Sequence, residues 1–235
     1  MRRLFAPLTE PVVRRVVVTS LTLSGAVGVF GLSFGVASVS AGASVWQTSA
    51  LSLFVFTGAS QFSAMSVVGA GGSLSAAFGG AVLLAARNLV YGLALSSSAS
   101  SSSSDTKYSL AGSLPRRLIA SHFVIDETTA LALAQDSPRL RKIAFWTTGL
   151  ALFFFWNVGT LIGALLGTAI DPKQFGLDIA FPAAFIVMLV PHLRTRLGKQ
   201  AAALGGALCL VSIPFVPIGV PILIAAAAVF VGLRK

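Results

Sequence analysis

The sequence predicts an all-α fold, a polytopic transmembrane helical bundle, and three observations predict it. Apolar residues make up 55% of the 235-residue chain and charged residues only 10%, where a soluble domain carries about 25% charged residues. Apolar runs at 16–40, 45–70, 74–95 and 143–170 each approach or exceed the roughly 20 residues that cross a hydrocarbon layer. The basic residues behind the net charge of +10 sit in short clusters between those runs. They form no stripe and no aromatic-interleaved patch, so they read as topology signals in a lipid bilayer and not as a nucleic-acid surface.

Eight candidate membrane segments follow: 16–40, 45–70, 74–96, 118–135, 143–170, 177–193, 200–214 and 216–233. Residues 1–15 carry Arg2, Arg3, Arg14 and Arg15 without a small-residue cleavage site leading into a soluble domain, so this segment is expected to stay in the cytoplasm and the first apolar run to anchor it. Gly31 and Gly35 make a flat face for close helix contact in the first segment. The second is interrupted at Phe56-Thr57-Gly58-Ala59-Ser60-Gln61, and the third holds Arg87 at its middle. Residues 97–117, including most of the serine run Ser96–Ser104, have no apolar face to bury and read as a linker between a first transmembrane half (16–96) and a second (118–193). The fifth segment carries Trp156-Asn157-Val158-Gly159-Thr160, a polar stretch that matches the break at 56–61, together with the spaced glycines 159, 163 and 167. Residues 194–235 form C-terminal segments, short and holding Pro214, Pro217 and Pro221. Three segments on either side of the serine run, with polar breaks in corresponding members, predict an inverted repeat with broken helices and a substrate site at the repeat interface.

With the N-terminus inside, twelve basic residues face the cytoplasm (Arg2, Arg3, Arg14, Arg15, Arg139, Arg141, Lys142, Arg194, Arg196, Lys199, Arg234, Lys235) and four face outward (Lys107, Arg116, Arg117, Lys173). The positive-inside rule favours this orientation in the cell's plasma or inner membrane. The single cysteine, Cys209, rules out an internal disulfide and a thiolate metal site. No H-E-x-x-H, G-x-S-x-G or P-loop sequence is present, so no catalytic residues, no metal and no cofactor are expected.

Arg87, His122, Asp126 and Glu127 lie inside apolar stretches, where a charge costs about 2.5–3.5 kcal/mol on insertion scales and marks a pathway or a partner. The guanidinium of Arg87 suits a carboxylate, the substrate's or that of Asp126 or Glu127, and both readings stand. Asn88 is adjacent and Tyr91 lies one turn on. The stretch at Gly58 to Gln61 either exposes backbone amides to an anionic group, or its small residues Gly58, Ala59 and Ser60 only let two helices approach closely, with Gln61, a large polar side chain at that depth, weighing for the first reading. If 118–135 is one helix, His122 and Asp126 share a face and Glu127 points about 100° away. Asp126 would then carry a coupling proton, tuned by His122. Alternatively, Asp126 and Glu127 open a short helix and favour its N-terminus. The expected substrate-binding set is Gly58, Ser60, Gln61, Arg87, Asn88 and Tyr91. The expected proton-coupling set is His122, Asp126 and Glu127.

Four ordered blocks carry a resemblance: Gly31-Leu32-Ser33-Phe34-Gly35-Val36-Ala37, Phe56-Thr57-Gly58-Ala59-Ser60-Gln61-Phe62, Ala86-Arg87-Asn88-Leu89-Val90-Tyr91-Gly92 and Asp126-Glu127-Thr128. Over residues 14–195 the chain resembles the AzlC-type branched-chain amino acid permeases. The resemblance implies export of an amino acid substrate together with a small hydrophobic AzlD-type membrane subunit. It assigns no residue roles. The chain departs from that pattern by its serine run and by a first segment without proline. The expected function is a permease exporting valine, leucine or isoleucine, coupled to the proton gradient. A non-transporting membrane scaffold or assembly subunit is the alternative, and an intramembrane enzyme comes third.

Overall fold

A computed structural model describes residues 10–100, 113–169, 186 and 189–233. Among the described residues every regular element is helical. Helix α1 (Pro11–Ser40) starts on a proline, whose missing N–H costs nothing at a helix start, and α2 (Val45–Val55) and α3 (Ala59–Gly69) follow. Next come α4 (Leu74–Ala85), α5 (Arg87–Ser100), α6 (Leu114–His122), α7 (Asp126–Leu133) and α8 (Pro138–Ala169). A 3-10 turn at Val190–Arg194 leads to α9 (Arg196–Ser212), α10 (Val220–Ala225) and a second 3-10 stretch, Ala226–Leu233. Among the described residues three stretches are long and apolar enough to cross a membrane: Pro11–Ser40, Leu74–Ser97 and Pro138–Ala169.

The break expected near residue 58 is present between α2 and α3, whereas the one expected at Trp156–Thr160 is not. Helix α8 runs unbroken through that stretch, where the Asn157 amide N–H donates back to the Phe153 carbonyl at 2.8 Å and so keeps its donor inside the helix. The expected continuous helix over 118–135 is instead split. Ile125 is extended (φ −134°, ψ 177°), its N–H donates to Thr128 Oγ1 at 3.1 Å, and the Thr128 hydroxyl donates to the Phe123 carbonyl at 2.6 Å. A threonine hydroxyl offering partners to backbone groups competes with the helical ladder, and here it wins. A third interruption, a single turn residue at Ala86, separates α4 from α5. The serine run does not begin as a linker: Ser96–Ser100 continue α5, with the Ser96 and Ser97 hydroxyls donating to the Leu93 and Ala94 carbonyls at 2.8 and 3.0 Å. Most of the expected segment 177–193 lies outside the described residues.

The chain forms two compact units. Each draws on segments from both sides of the serine run. The first contains residues up to Gly31, Ser52–Phe56 and Ala86–Gly159. Within it α1 meets α8 through small polar contacts: the Thr148 hydroxyl donates to Ser20 Oγ at 2.9 Å, and Ser24 Oγ donates to the Thr148 carbonyl at 3.3 Å. Gly31 lies against the main chain of Trp156, where an added Cβ would stand 2.6 Å from the carbonyl oxygen. Helix α5 packs on α7. At the start of α8, Arg139 grips Glu10 through two hydrogen bonds of 2.9 and 3.0 Å.

The second unit contains Leu32–Leu51, Thr57–Ala85 and residues from Thr160 onward. Helices α3 and α4 form a hairpin with Val67, Ala76 and Ala77 buried between them and Ile222 of α10 packed alongside. The Ser38 and Thr48 hydroxyls join α1 to α2 at 2.8 Å, and Phe34 meets Phe62 edge to face at 5.4 Å. Helix α9 packs against α10 and the closing 3-10 stretch.

Candidate functional site

The three helix interruptions deliver their residues to the first unit: Phe56 from the end of α2, Arg87 from the start of α5, and His122, Phe123 and Asp126 from either side of the α6–α7 break. Arg87 Nη1 stands 2.9 Å from Asp126 Oδ2, and the two side chains are 33% and 32% exposed. Asp126 is the first residue of α7 and Glu127 the second, where negative charge favours the helix N-terminus. That arrangement matches the reading in which the two acids open a short helix. Tyr91 lies one turn after Arg87 on α5. Among the described residues Glu127 forms no ion pair. Asp126 Oδ1 is buried and accepts no hydrogen bond there, and the same holds for Thr129 Oγ1 and Asn157 Oδ1. Asn88 is half-buried beside Arg87.

His122 is placed differently from its expected position. Because the helix ends at His122 and restarts at Asp126, the four-residue spacing no longer implies a shared helical face, and the geometric basis for pairing the imidazole with Asp126 is gone. The ring instead joins an aromatic cluster, with centroids 5.8 Å from Phe56, 5.5 Å from Phe123 and 5.6 Å from Phe153. Phe56 also meets Phe153 edge to face at 5.0 Å, and Phe123 meets Trp146 at 5.7 Å. Phe56 carries this cluster at a cost, since its φ of +29° is unusual for a bulky residue and strain of this kind amounts to about 1–3 kcal/mol. Its ring is only 3% exposed, so packing against three aromatic neighbours offsets the strain. Gly149 leaves room for Phe123: a Cβ there would stand 3.2 Å from the Phe123 Cβ.

Gly58, Ser60 and Gln61 belong to the second unit. Gly58 takes a φ of +50°, a conformation open to glycine at little cost. Its N–H donates to Gln61 Oε1 at 3.1 Å, while Gln61 Nε2 donates to the Leu51 carbonyl at 2.8 Å. The Thr57 and Ser60 hydroxyls are hydrogen-bonded to each other. Gln61 is fully buried, and both its polar ends are used to hold the break between α2 and α3. Gln61→Leu should therefore leave the Leu51 carbonyl and the Gly58 amide unpaired and lower stability by about 1–3 kcal/mol. Thermal unfolding in detergent measures this, and an unchanged midpoint would show the bonds to be dispensable.

Phe123 and Phe153 were not singled out by sequence reasoning, and Phe56 and the turn-former Thr128 stood only within longer ordered blocks, without roles of their own. Their signals are present but local: two β-branched residues, Val124 and Ile125, directly before Asp-Glu-Thr, and a Phe-Phe-Phe run at 153–155.

Long apolar helices with an ion pair set at helix interruptions define a polytopic membrane protein, consistent with a role related to membrane transport. The family profile described as AzlC protein matches residues 23–170. The chain belongs to the AzlC family. Two proteins of Helicobacter pylori, each named "Uncharacterized membrane protein", are similar to it. The one from strain 26695 is 27% identical over 177 residues, covering 74% of this chain and 73% of the relative, and the one from strain J99 is 26% identical over 183 residues, covering 77% and 75%. No solved structure matches.

Proposed function

We propose that this protein is the large subunit of a permease that exports valine, leucine or isoleucine across the inner membrane, coupled to the proton gradient and assembled with a small hydrophobic AzlD-type membrane subunit. The observation that carries the reading is the Arg87–Asp126 pair at 2.9 Å, a charge pair retained at helix breaks in a chain that is otherwise 55% apolar. Intramembrane ion pairs are expensive and mark substrate or proton pathways. Arg87 uses one N–H on Asp126 and keeps further donors of its planar fork for a substrate carboxylate. Phe153, half-buried and backed by the buried rings of Phe56 and Phe123, supplies apolar surface for a branched side chain. Asn88 and Tyr91 flank the pair, and the freed backbone at Gly58, Ser60 and Gln61 supports the broken helix. The coupling proton belongs to the His122, Asp126 and Glu127 group. Glu127 is the member free to take it up, since Asp126 is held by Arg87 and His122 by its aromatic neighbours.

The test is counterflow of labelled leucine in proteoliposomes holding the full chain, with and without the small subunit. Glu127→Gln is expected to retain leucine exchange and to lose efflux driven by a proton gradient, because exchange moves no net proton. Retention of both activities would remove Glu127 from coupling. No leucine counterflow in the presence of the small subunit would favour a scaffold over a permease.

The orientation follows from the twelve-to-four distribution of basic residues under the positive-inside rule. In a Cys209→Ser background, Ser40→Cys should react with an impermeant thiol reagent added outside intact cells and Asp136→Cys should be protected. The reverse pattern would place the N-terminus outside.

A further inference from the structure

We infer that Asp126 and Thr129 form the seat for the substrate's α-ammonium group, which makes the site selective for zwitterionic amino acids. The inference rests on the permease reading and deepens it.

Asp126 and Thr129 are three residues apart on α7 and therefore neighbours on one face of that helix. Both present an oxygen that is buried and accepts no hydrogen bond among the described residues: Asp126 Oδ1 and Thr129 Oγ1. Thr129 is only 5% exposed. Buried polar atoms are nearly always partnered, so two orphaned acceptors side by side call for a donor from outside the chain. The other carboxylate oxygen, Asp126 Oδ2, already faces Arg87, so the free valence of the carboxylate is the Oδ1 side. A group with several N–H donors and a positive charge meets both needs at once, giving one charge-assisted bond to Asp126 and one bond to the threonine hydroxyl.

The partner cation supplies the complement. Arg87 stands 2.9 Å from Asp126, so the site presents a positive and a negative group in direct contact. An α-amino acid presents its ammonium and carboxylate on one carbon, with the same intimate spacing and opposite polarity. Seated against the pair, its carboxylate meets the spare donors of Arg87 and its ammonium meets Asp126 Oδ1 and Thr129 Oγ1, with no net charge brought into the site. A fatty acid or a simple amine satisfies only half of this arrangement.

The experiment measures leucine, 4-methylpentanoate (leucine without its amine) and 3-methylbutylamine (leucine without its carboxylate) as competitors for labelled leucine on the full chain in nanodiscs. The wild-type protein should prefer leucine over either analogue by about 10- to 100-fold, the range one charge-assisted hydrogen bond supports. Thr129→Val should weaken leucine while leaving 4-methylpentanoate unchanged, and Asp126→Asn should weaken leucine without weakening 4-methylpentanoate, so that in each the ratio of the two affinities collapses. A purely structural role would weaken both ligands together and preserve the ratio. Thr129→Val keeps the side-chain shape and the Arg87–Asp126 pair and deletes only an unbonded hydroxyl. It should therefore fold at least as stably as wild type and carries the test if Asp126→Asn does not fold. Leucine binding with no preference over 4-methylpentanoate, or a ratio unchanged in Thr129→Val, overturns this assignment while leaving the permease standing. Absence of leucine binding to the wild-type chain with its small subunit overturns the permease reading itself.

Discussion

Arg87→Lys is expected to reduce leucine efflux by about 10- to 100-fold, even though the charge is kept. The guanidinium is a planar fork that can hold Asp126 with one N–H and a second carboxylate with the others, whereas an ammonium is a point charge without that fixed geometry. One lost charge-assisted bond, about 1.5–3 kcal/mol, sets the size of the effect. Folding should survive, because lysine keeps a positive charge opposite Asp126 and so leaves no unpaired carboxylate there. Efflux from proteoliposomes and the elution profile in detergent measure the two quantities separately. Full efflux with Arg87→Lys would take Arg87 out of substrate recognition. A folded Arg87→Ala protein that transports normally but loses its small subunit would point to assembly instead.

The largest effect on stability is expected from Gly163→Val. In the second unit a Cβ at Gly163 would collide with the main chain of Leu32, lying 2.8 Å from its carbonyl carbon and 3.0 Å from its Cα and closer still to its carbonyl oxygen. The obstacle is backbone, so no rotamer change relieves it and the helices must separate. Overpacking of a fitted contact costs about 1–3 kcal/mol for smaller insults, and here the whole seam is disturbed, since Gly35 meets the backbone of Thr160 and Ala164 in the same way. Gly163→Val should fail to accumulate as folded protein. Gly25→Ala is the control: nothing lies within 4 Å of a Cβ there, and alanine in a helix interior gains up to about 1 kcal/mol over glycine. Equal yields of the two variants on size-exclusion chromatography would refute the close-approach argument.

The glycine spacing that predicts this seam is readable without a structure, because small residues three and four apart have few uses in an apolar helix other than close packing. The break before Gly58 is equally legible, since Thr, Gly, Ser and Gln at the middle of an apolar run disrupt its pattern. The stretch at Trp156–Thr160 carries the same residue types and stays helical. Composition alone does not separate the two cases. What separates them is where the side chains find partners: Gln61 reaches back to Leu51 across the gap, whereas Asn157 bonds to its own helix at Phe153. The split at Phe123–Ile125 stood in the sequence only as one of two readings, as Thr128 looks like an ordinary helix residue until its hydroxyl is seen capping the turn.

By itself the sequence determined the class of this protein, three of its apolar segments, 16–40, 74–96 and 143–170, which fall in helices long and apolar enough to cross a membrane, and the identity of its costly charges. Those features depend on local composition and length, which the bilayer reads directly. Only the tertiary structure decided that Arg87 pairs with Asp126, that His122 joins an aromatic cluster, and that Gln61 is consumed in holding a break. Each of these depends on contacts between residues distant in sequence or on the direction of a side chain after a helix ends. A helical period carries that information only while the helix continues, and at this site three helices stop.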